Sequence, residues 1–169
     1  IALLEKGDDL EERVEGIKND PHHAIYGFSG AGAFFDGKLT LTTDGGGHLA
    51  EHLGREPADA MVVYVDAMWR AHGAPDELSG VSPQIHDIQH RALMHGLKFI
   101  PYPVRHMGTD NNVLIMRHMR ETLKSRKVDI FCKAECLQVH AQDGIFVAKS
   151  AEREFKGRNL IVGVGRGGS

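Results

Sequence analysis

Apolar positions recur along this chain at two spacings, and their alternation predicts an α/β protein. Ile1-Ala2-Leu3-Leu4 is continuously apolar and is stopped by Glu5, Lys6 and Gly7, the pattern of a short buried strand in a parallel sheet. Over residues 8–17, Leu10, Val14 and Ile17 share a helical face behind an Asp cap, with acids in the first turn where the helix dipole favours them. The strongest helical pattern covers 57–72: Pro57 opens it, and Ala58, Met61, Val62, Val65, Met68, Trp69 and His72 lie on one side before Gly73 and Pro75. A helix over 82–95 groups Ile85, Ile88, Ala92 and Leu93, and another over 110–125 follows the Thr109-Asp110 cap. Apolar and alternating runs predict strands at 97–104, 128–134, 136–142, 145–149 and 159–163.

A buried parallel strand needs neighbours, so a strand and a helix are expected before Ile1. The run Asn159 to Val162 enters Gly163-Val164-Gly165-Arg166-Gly167-Gly168-Ser169 with no helix to receive it, so both ends are expected to lie inside a larger fold. Two adjacent helices interrupt the strand-rich pattern. They predict an inserted helical, substrate-side subdomain at 51–104, within a main domain formed by 1–50 and 105–169.

A length of 169 residues suits one core plus a small insertion. With 41% hydrophobic and 25% charged residues the composition is that of an ordinary globular protein, and no apolar run approaches the ~20 residues that span a bilayer. The net charge of −3 and scattered Lys and Arg argue against a nucleic-acid partner. Cys132 and Cys136 form neither a disulfide framework nor a Cys-x-x-Cys motif, and about 13 Å would separate them along a strand; the expected location is the cytoplasm.

Candidate chemistry centres on glycine, at 20 residues and clustered. Clusters beside apolar runs suit backbone held close to a ligand. Glu5, at the carboxyl end of the first strand, stands where a dinucleotide fold places an acid for ribose hydroxyls, though taken alone it better suits a helix-capping or solvated acid at a strand end. In Tyr26-Gly27-Phe28-Ser29-Gly30-Ala31-Gly32-Ala33-Phe34-Phe35-Asp36-Gly37-Lys38-Leu39, small residues open the backbone to a planar or anionic ligand beside two aromatics; a glycine-rich hairpin without ligand fits the same pattern. The Gly163 to Ser169 segment predicts an amide-lined anion site. His48-Leu49-Ala50-Glu51-His52 matches the inverted zinc-protease motif His-x-x-Glu-His, without a distinctive third ligand downstream. His86 and His90 are expected on the solvent side of their helix, and His106 reads as an acid/base or as a loop hydrogen-bonder.

Together these segments resemble the FAD-dependent dehydrogenases of the two-dinucleotide-binding-domain flavoprotein group over nearly the whole chain. Gly30-Ala31-Gly32-Ala33-Phe34-Phe35-Asp36-Gly37-Lys38-Leu39 is similar to that family's Gly-Ala-Gly-Thr-Phe-Ser-Asp-Gly-Lys-Leu segment. Leu4-Glu5-Lys6-Gly7 with Leu10-Glu11-Glu12-Arg13, Arg105-His106-Met107-Gly108-Thr109 and Ile161-Val162-Gly163-Val164-Gly165-Arg166 are similar to further family segments. Val164 stands in place of the usual proline, Ala33 and Phe35 in place of Thr and Ser, and the family's Gly-x-Gly-x-x-Gly turn would lie before Ile1. The resemblance implies a partial Rossmann-like FAD-binding domain, with a parallel sheet and a small antiparallel β segment. It further implies an oxidoreductase relaying hydride or electrons through FAD between a small-molecule substrate and a nicotinamide or other electron donor or acceptor. Glu5 and Lys6 would hold the adenosine ribose, and Cys136 and Leu137 would pass the adenine. Ser29, Gly30, Ala31, Gly32, Asp36, Gly37 and Lys38, with Gly163, Gly165 and Arg166, would frame the isoalloxazine. No residue is assigned as catalytic, and no metal is implied.

Overall fold

The computed structural model describes residues 1–34 and 37–165. They form a mixed α/β protein with one short parallel strand pair and two antiparallel sheets. The chain divides into two compact units, one formed by Ile1–Gly30 with the chain from Leu123 onward, the other by Ala31–Thr122.

In the first unit, strand β1 (Ala2–Leu4) pairs in parallel with a distant strand, Asp129–Phe131, in register Leu3 to Ile130. Helix α1 (Leu10–Gly16) follows β1 and begins at Asp9 with a full capping box: Asp9 accepts from the helix amides and Glu12 reaches back to the Asp9 N–H. Leu10 is fully buried. A 3-10 turn at Pro21–Ala24, capped by Asp20, then leads to Phe28.

The second unit starts with a 3-10 turn at Ala31–Ala33 and strand β2 (Lys38–Thr40). Helices α2 (Leu49–Leu53) and α3 (Arg55–Ala71) meet at Gly54, whose φ of 84° permits the sharp change of direction, so α3 begins two residues before Pro57. Helix α4 (Gln84–Met94) buries no side chain, and Leu93 and Met94 are exposed. Strand β3 (Val104–His106) pairs antiparallel with β2, and helix α5 (Thr109–Ser125) buries Asn112, Ile115 and Met116.

Strand β4 (Asp129–Phe131), named above as the partner of β1, returns the chain to the first unit, and β5 (Gln138–Gln142), β6 (Ile145–Lys149) and β7 (Glu154–Gly157) form an antiparallel meander. Val147 is its buried centre, and the rings of Phe131 and Phe155 meet edge to face, 4.9 Å apart.

Several expectations need correction. Residues 97–103 are not a strand: Pro101 and Pro103 lack the N–H a ladder requires, and only Val104 of the predicted span belongs to β3. Residues 159–163 form no strand either; Ile161 is 95% exposed, and an apolar run without a hydrogen-bonded neighbour has nothing to hold it extended. The last strand is instead Glu154–Gly157, whose alternation is too short to stand out before Gly157. Among the described residues, no helix is long and apolar enough to cross a membrane. Cys132 is half-buried and Cys136 exposed.

Candidate functional site

Glu5 directly follows β1 and extends the parallel pairing, its amide donating to the Phe131 carbonyl at 2.9 Å. Its Oε1 accepts the Gly7 N–H at 2.8 Å, so the acid anchors its own loop as well as facing the strand end. Ala134 donates to the Glu5 carbonyl and Lys133 to that of Gly7. The structure thus brings Glu5 and Lys6 beside the segment leading into Glu135, Cys136 and Leu137. Cys136 and Leu137 are exposed, and the Leu137 amide is taken by the Lys149 carbonyl at 2.8 Å.

Beyond this strand end lies a cavity of about 180 Å³ lined by Lys6, Gly7, Asp8, Asp20, His22, His23 and Tyr26. Its walls carry both signs of charge. The Lys6 ammonium lies 5.2 Å from the centre of the Tyr26 ring, and His23 Nδ1 lies 2.7 Å from Asp8 Oδ2.

Behind this loop, Arg13 is fully buried. Its Nε donates to the His23 carbonyl at 2.9 Å, Nη2 to that of Ala24 at 3.0 Å, and Nη1 to those of Phe28 at 2.5 Å and Gly30 at 3.0 Å. Burial pushes the guanidinium below its ordinary value, while Glu5 and Asp8 oppose that shift. Sequence reasoning missed Arg13. The signal was its position three residues after Leu10, on the same helical face. Ser29 and Gly30, which the fork holds from below, both adopt positive φ, 75° and 70°. Ser29 is therefore strained where glycine would not be.

In the second unit, the turn Ala31–Ala33 is held by Asn112 of α5, whose Nδ2 donates to the Ala33 carbonyl at 2.8 Å and that of Gly32 at 3.3 Å. Asn112 is fully buried, and among the described residues its Oδ1 has no partner. An unsatisfied buried acceptor costs roughly 1–3 kcal/mol. Gly37 has φ 53°, and a Cβ there would lie 2.8 Å from the Gly108 carbonyl oxygen; its own carbonyl accepts from Met107 at 2.7 Å. Lys38 pairs with His106 across β2 and β3, and both are exposed. Arg105 is buried in a two-pronged pair with Asp66, at 2.5 and 2.7 Å, and also donates to the Pro75 carbonyl. Those contacts tie β3 to α3.

The glycines sort by the reason each requires glycine. A Cβ on Gly7 would meet Gly27, one on Gly27 the Arg13 stem and one on Gly16 the His23 ring, and many other glycines need positive φ. Among the described residues, Gly32 and Gly163 alone combine an ordinary φ with open space where a Cβ would stand. Gly163 and Gly165 lie in the exposed irregular segment after β7, and Gly165 has φ 64°. Asp36 and Arg166 lie outside the described residues.

The zinc-protease motif takes a different form from the one its pattern requires. His48 is the residue before α2, not within it, and its Nδ1 contacts Glu51 Oε2 at 3.0 Å with both side chains largely exposed. Among the described residues, no group of three His, Cys, Asp or Glu side chains is arranged to hold a metal ion. His86 and His90 face solvent, as their helical positions predict.

Comparison of the chain with protein-family models and with curated proteins gives no match.

Proposed function

We propose that this chain serves an FAD-dependent oxidoreductase acting on a small-molecule substrate with a nicotinamide or other electron donor or acceptor. Glu5 and Lys6 hold the adenosine ribose at the carboxyl end of β1. The turn at Ala31–Ala33 faces the isoalloxazine. The observation that carries this reading is Gly32. Among the described residues, neither backbone conformation nor packing accounts for glycine at this position, which falls in the segment assigned to the ring. A flat ring lying against bare backbone supplies the missing reason. A parallel strand pair ending in an acid beside a polar cavity supports the ribose assignment.

When bound, FAD supplies the redox chemistry by accepting and passing on a hydride or electrons. The protein's part is placement: Arg13 holds the carbonyls of the loop that enters the glycine segment, and Asn112 holds those of the turn that follows it. The test is to refold the chain with excess FAD, remove free cofactor and record the visible spectrum. A retained yellow chromophore in stoichiometric amount is the expected result, and colourless folded protein refutes the reading.

A further inference from the structure

We infer that Asn112 is a positioning residue for the flavin-facing turn, fixing Gly32 with its carbonyl toward α5 and its side-chain-free face open. The inference rests on the FAD reading and names the residue that shapes the site. Asn112 lies on the same buried face of α5 as Ile115 and Met116. Its amide orientation is set by two carbonyl acceptors, Ala33 at 2.8 Å and Gly32 at 3.3 Å, which leaves Oδ1 buried and, among the described residues, unpartnered. Asn112 is the fourth residue of α5, and an apolar side chain there would take the donor from the buried Ala33 carbonyl, so the amide contributes to stability as well.

The amide also sets geometry. Two consecutive carbonyls are drawn to one point, which fixes the peptide planes on both sides of Ala33, the first of them running from Gly32. Among the described residues, nothing lies within 4 Å of the position a Gly32 Cβ would take, so that backbone presents an open face. Asn112 touches no proposed ligand atom and acts through the turn.

The test compares the full chain with Asn112→Asp and Asn112→Leu, each refolded with FAD. Asn112→Asp keeps the shape but replaces the donor with an oxygen facing two carbonyls; Asn112→Leu removes both polar groups. The readouts are FAD dissociation constant by fluorescence quenching, shape of the visible flavin band and thermal midpoint. Asn112→Asp is expected to weaken FAD at least tenfold and to alter the band of the flavin that still binds. Combined with Gly32→Ala it should weaken binding by less than the product of the two single effects, because both act through one turn. A lowered midpoint with unchanged affinity and band in either folded variant overturns the inference, since that is the signature of a purely structural residue. Should Asn112→Asp not fold, Asn112→Leu decides by the same readouts. A wild-type chain that retains no FAD removes the flavoenzyme reading and this inference with it, whereas wild-type binding with unaffected variants removes only this inference.

Discussion

Arg13 Nη2 donates to the Ala24 carbonyl at 3.0 Å, which places a fully buried guanidinium at the centre of the loop between α1 and the glycine segment. The same fork takes three further carbonyls, His23, Phe28 and Gly30. Removing it takes that donor from the carbonyls of Ala24, His23 and Gly30, while Phe28 keeps the Ser29 hydroxyl, and hydrogen bonds to charged groups are worth about 1.5–3 kcal/mol each. Arg13→Met is therefore expected to lose about 3 kcal/mol or more, read as a lower urea midpoint. Arg13→Lys should recover only part of that loss, because an ammonium cannot reproduce the planar fork. A midpoint unchanged in Arg13→Met contradicts this account of the loop.

The glycine sorting predicts opposite behaviour at two positions. Gly27 has φ 122°, and a Cβ there would stand 2.4 Å from Arg13 Cδ. Gly27→Ala is expected to lose about 2 kcal/mol or more through left-handed strain and collision with the guanidinium stem. Gly32→Ala meets no neighbour among the described residues and no conformational penalty, so the thermal midpoint should hold or rise slightly. Its FAD affinity should fall, since the new methyl occupies the face assigned to the ring. Calorimetry and a cofactor titration on the two variants separate packing glycines from ligand glycines.

How far the chain could be read in advance follows from the range of the forces involved. The capped helix after β1, α3, α4, α5 and the β5 to β6 hairpin were legible, because periodicity and capping act within a few residues. The parallel pairing of Leu3 with Ile130 spans most of the chain, and no local signal states it. Residues 159–163 misled because an apolar run describes a buried strand only if a partner edge exists. Arg13 was hidden because charge ordinarily marks a solvated face, whereas here the donors turn inward to carbonyls. Asn112 was hidden for the related reason that an Asn near a helix start reads as a cap. The glycine segment was legible as a candidate, but only coordinates distinguish Gly27 and Gly37, which are packed, from Gly32, which is open.

Two ion pairs of similar appearance should differ in consequence. Arg105 and Asp66 are both shielded, with side-chain exposures of 4% and 17%, while Arg70 and Asp76 sit at 50% and 80%. Breaking a buried pair strands an uncompensated charge and costs roughly 3–5 kcal/mol, but an exposed pair contributes about 0–1 kcal/mol. Asp66→Ala is expected to lower the urea midpoint sharply and Asp76→Ala hardly at all. The Asp66 effect should also persist in 1 M salt, which screens the exposed pair. Equal effects from the two substitutions would show that Arg105 finds other compensation.

Acid should loosen the second unit at an exposed network. Arg55 lies 2.8 Å from Asp44 and 3.0 Å from Asp59, and Thr43 donates to Asp59 at 2.8 Å, so the loop after β2 is tied to the first turn of α3. The Arg55 hydrogen bond holds the Asp44 carboxyl below the usual value of 3.8; at Asp59 the Thr43 hydroxyl contributes most and Arg55 next. Both carboxylates therefore bind protons more readily in the unfolded chain than in the folded one. Their contribution is present above the ordinary carboxylate value and is lost as pH falls through the lowered folded value. Stability should thus decline below about pH 4, and the decline should be shallower in Arg55→Gln, because Asp44 then titrates nearer its ordinary value. Urea midpoints at neutral pH and near pH 3 for both proteins, with carboxyl NMR titrations of Asp44 and Asp59, measure this directly. An acid decline of equal size with and without Arg55 would assign it to other carboxylates, and titration of Asp44 at its ordinary value in the intact protein would dissolve the network itself.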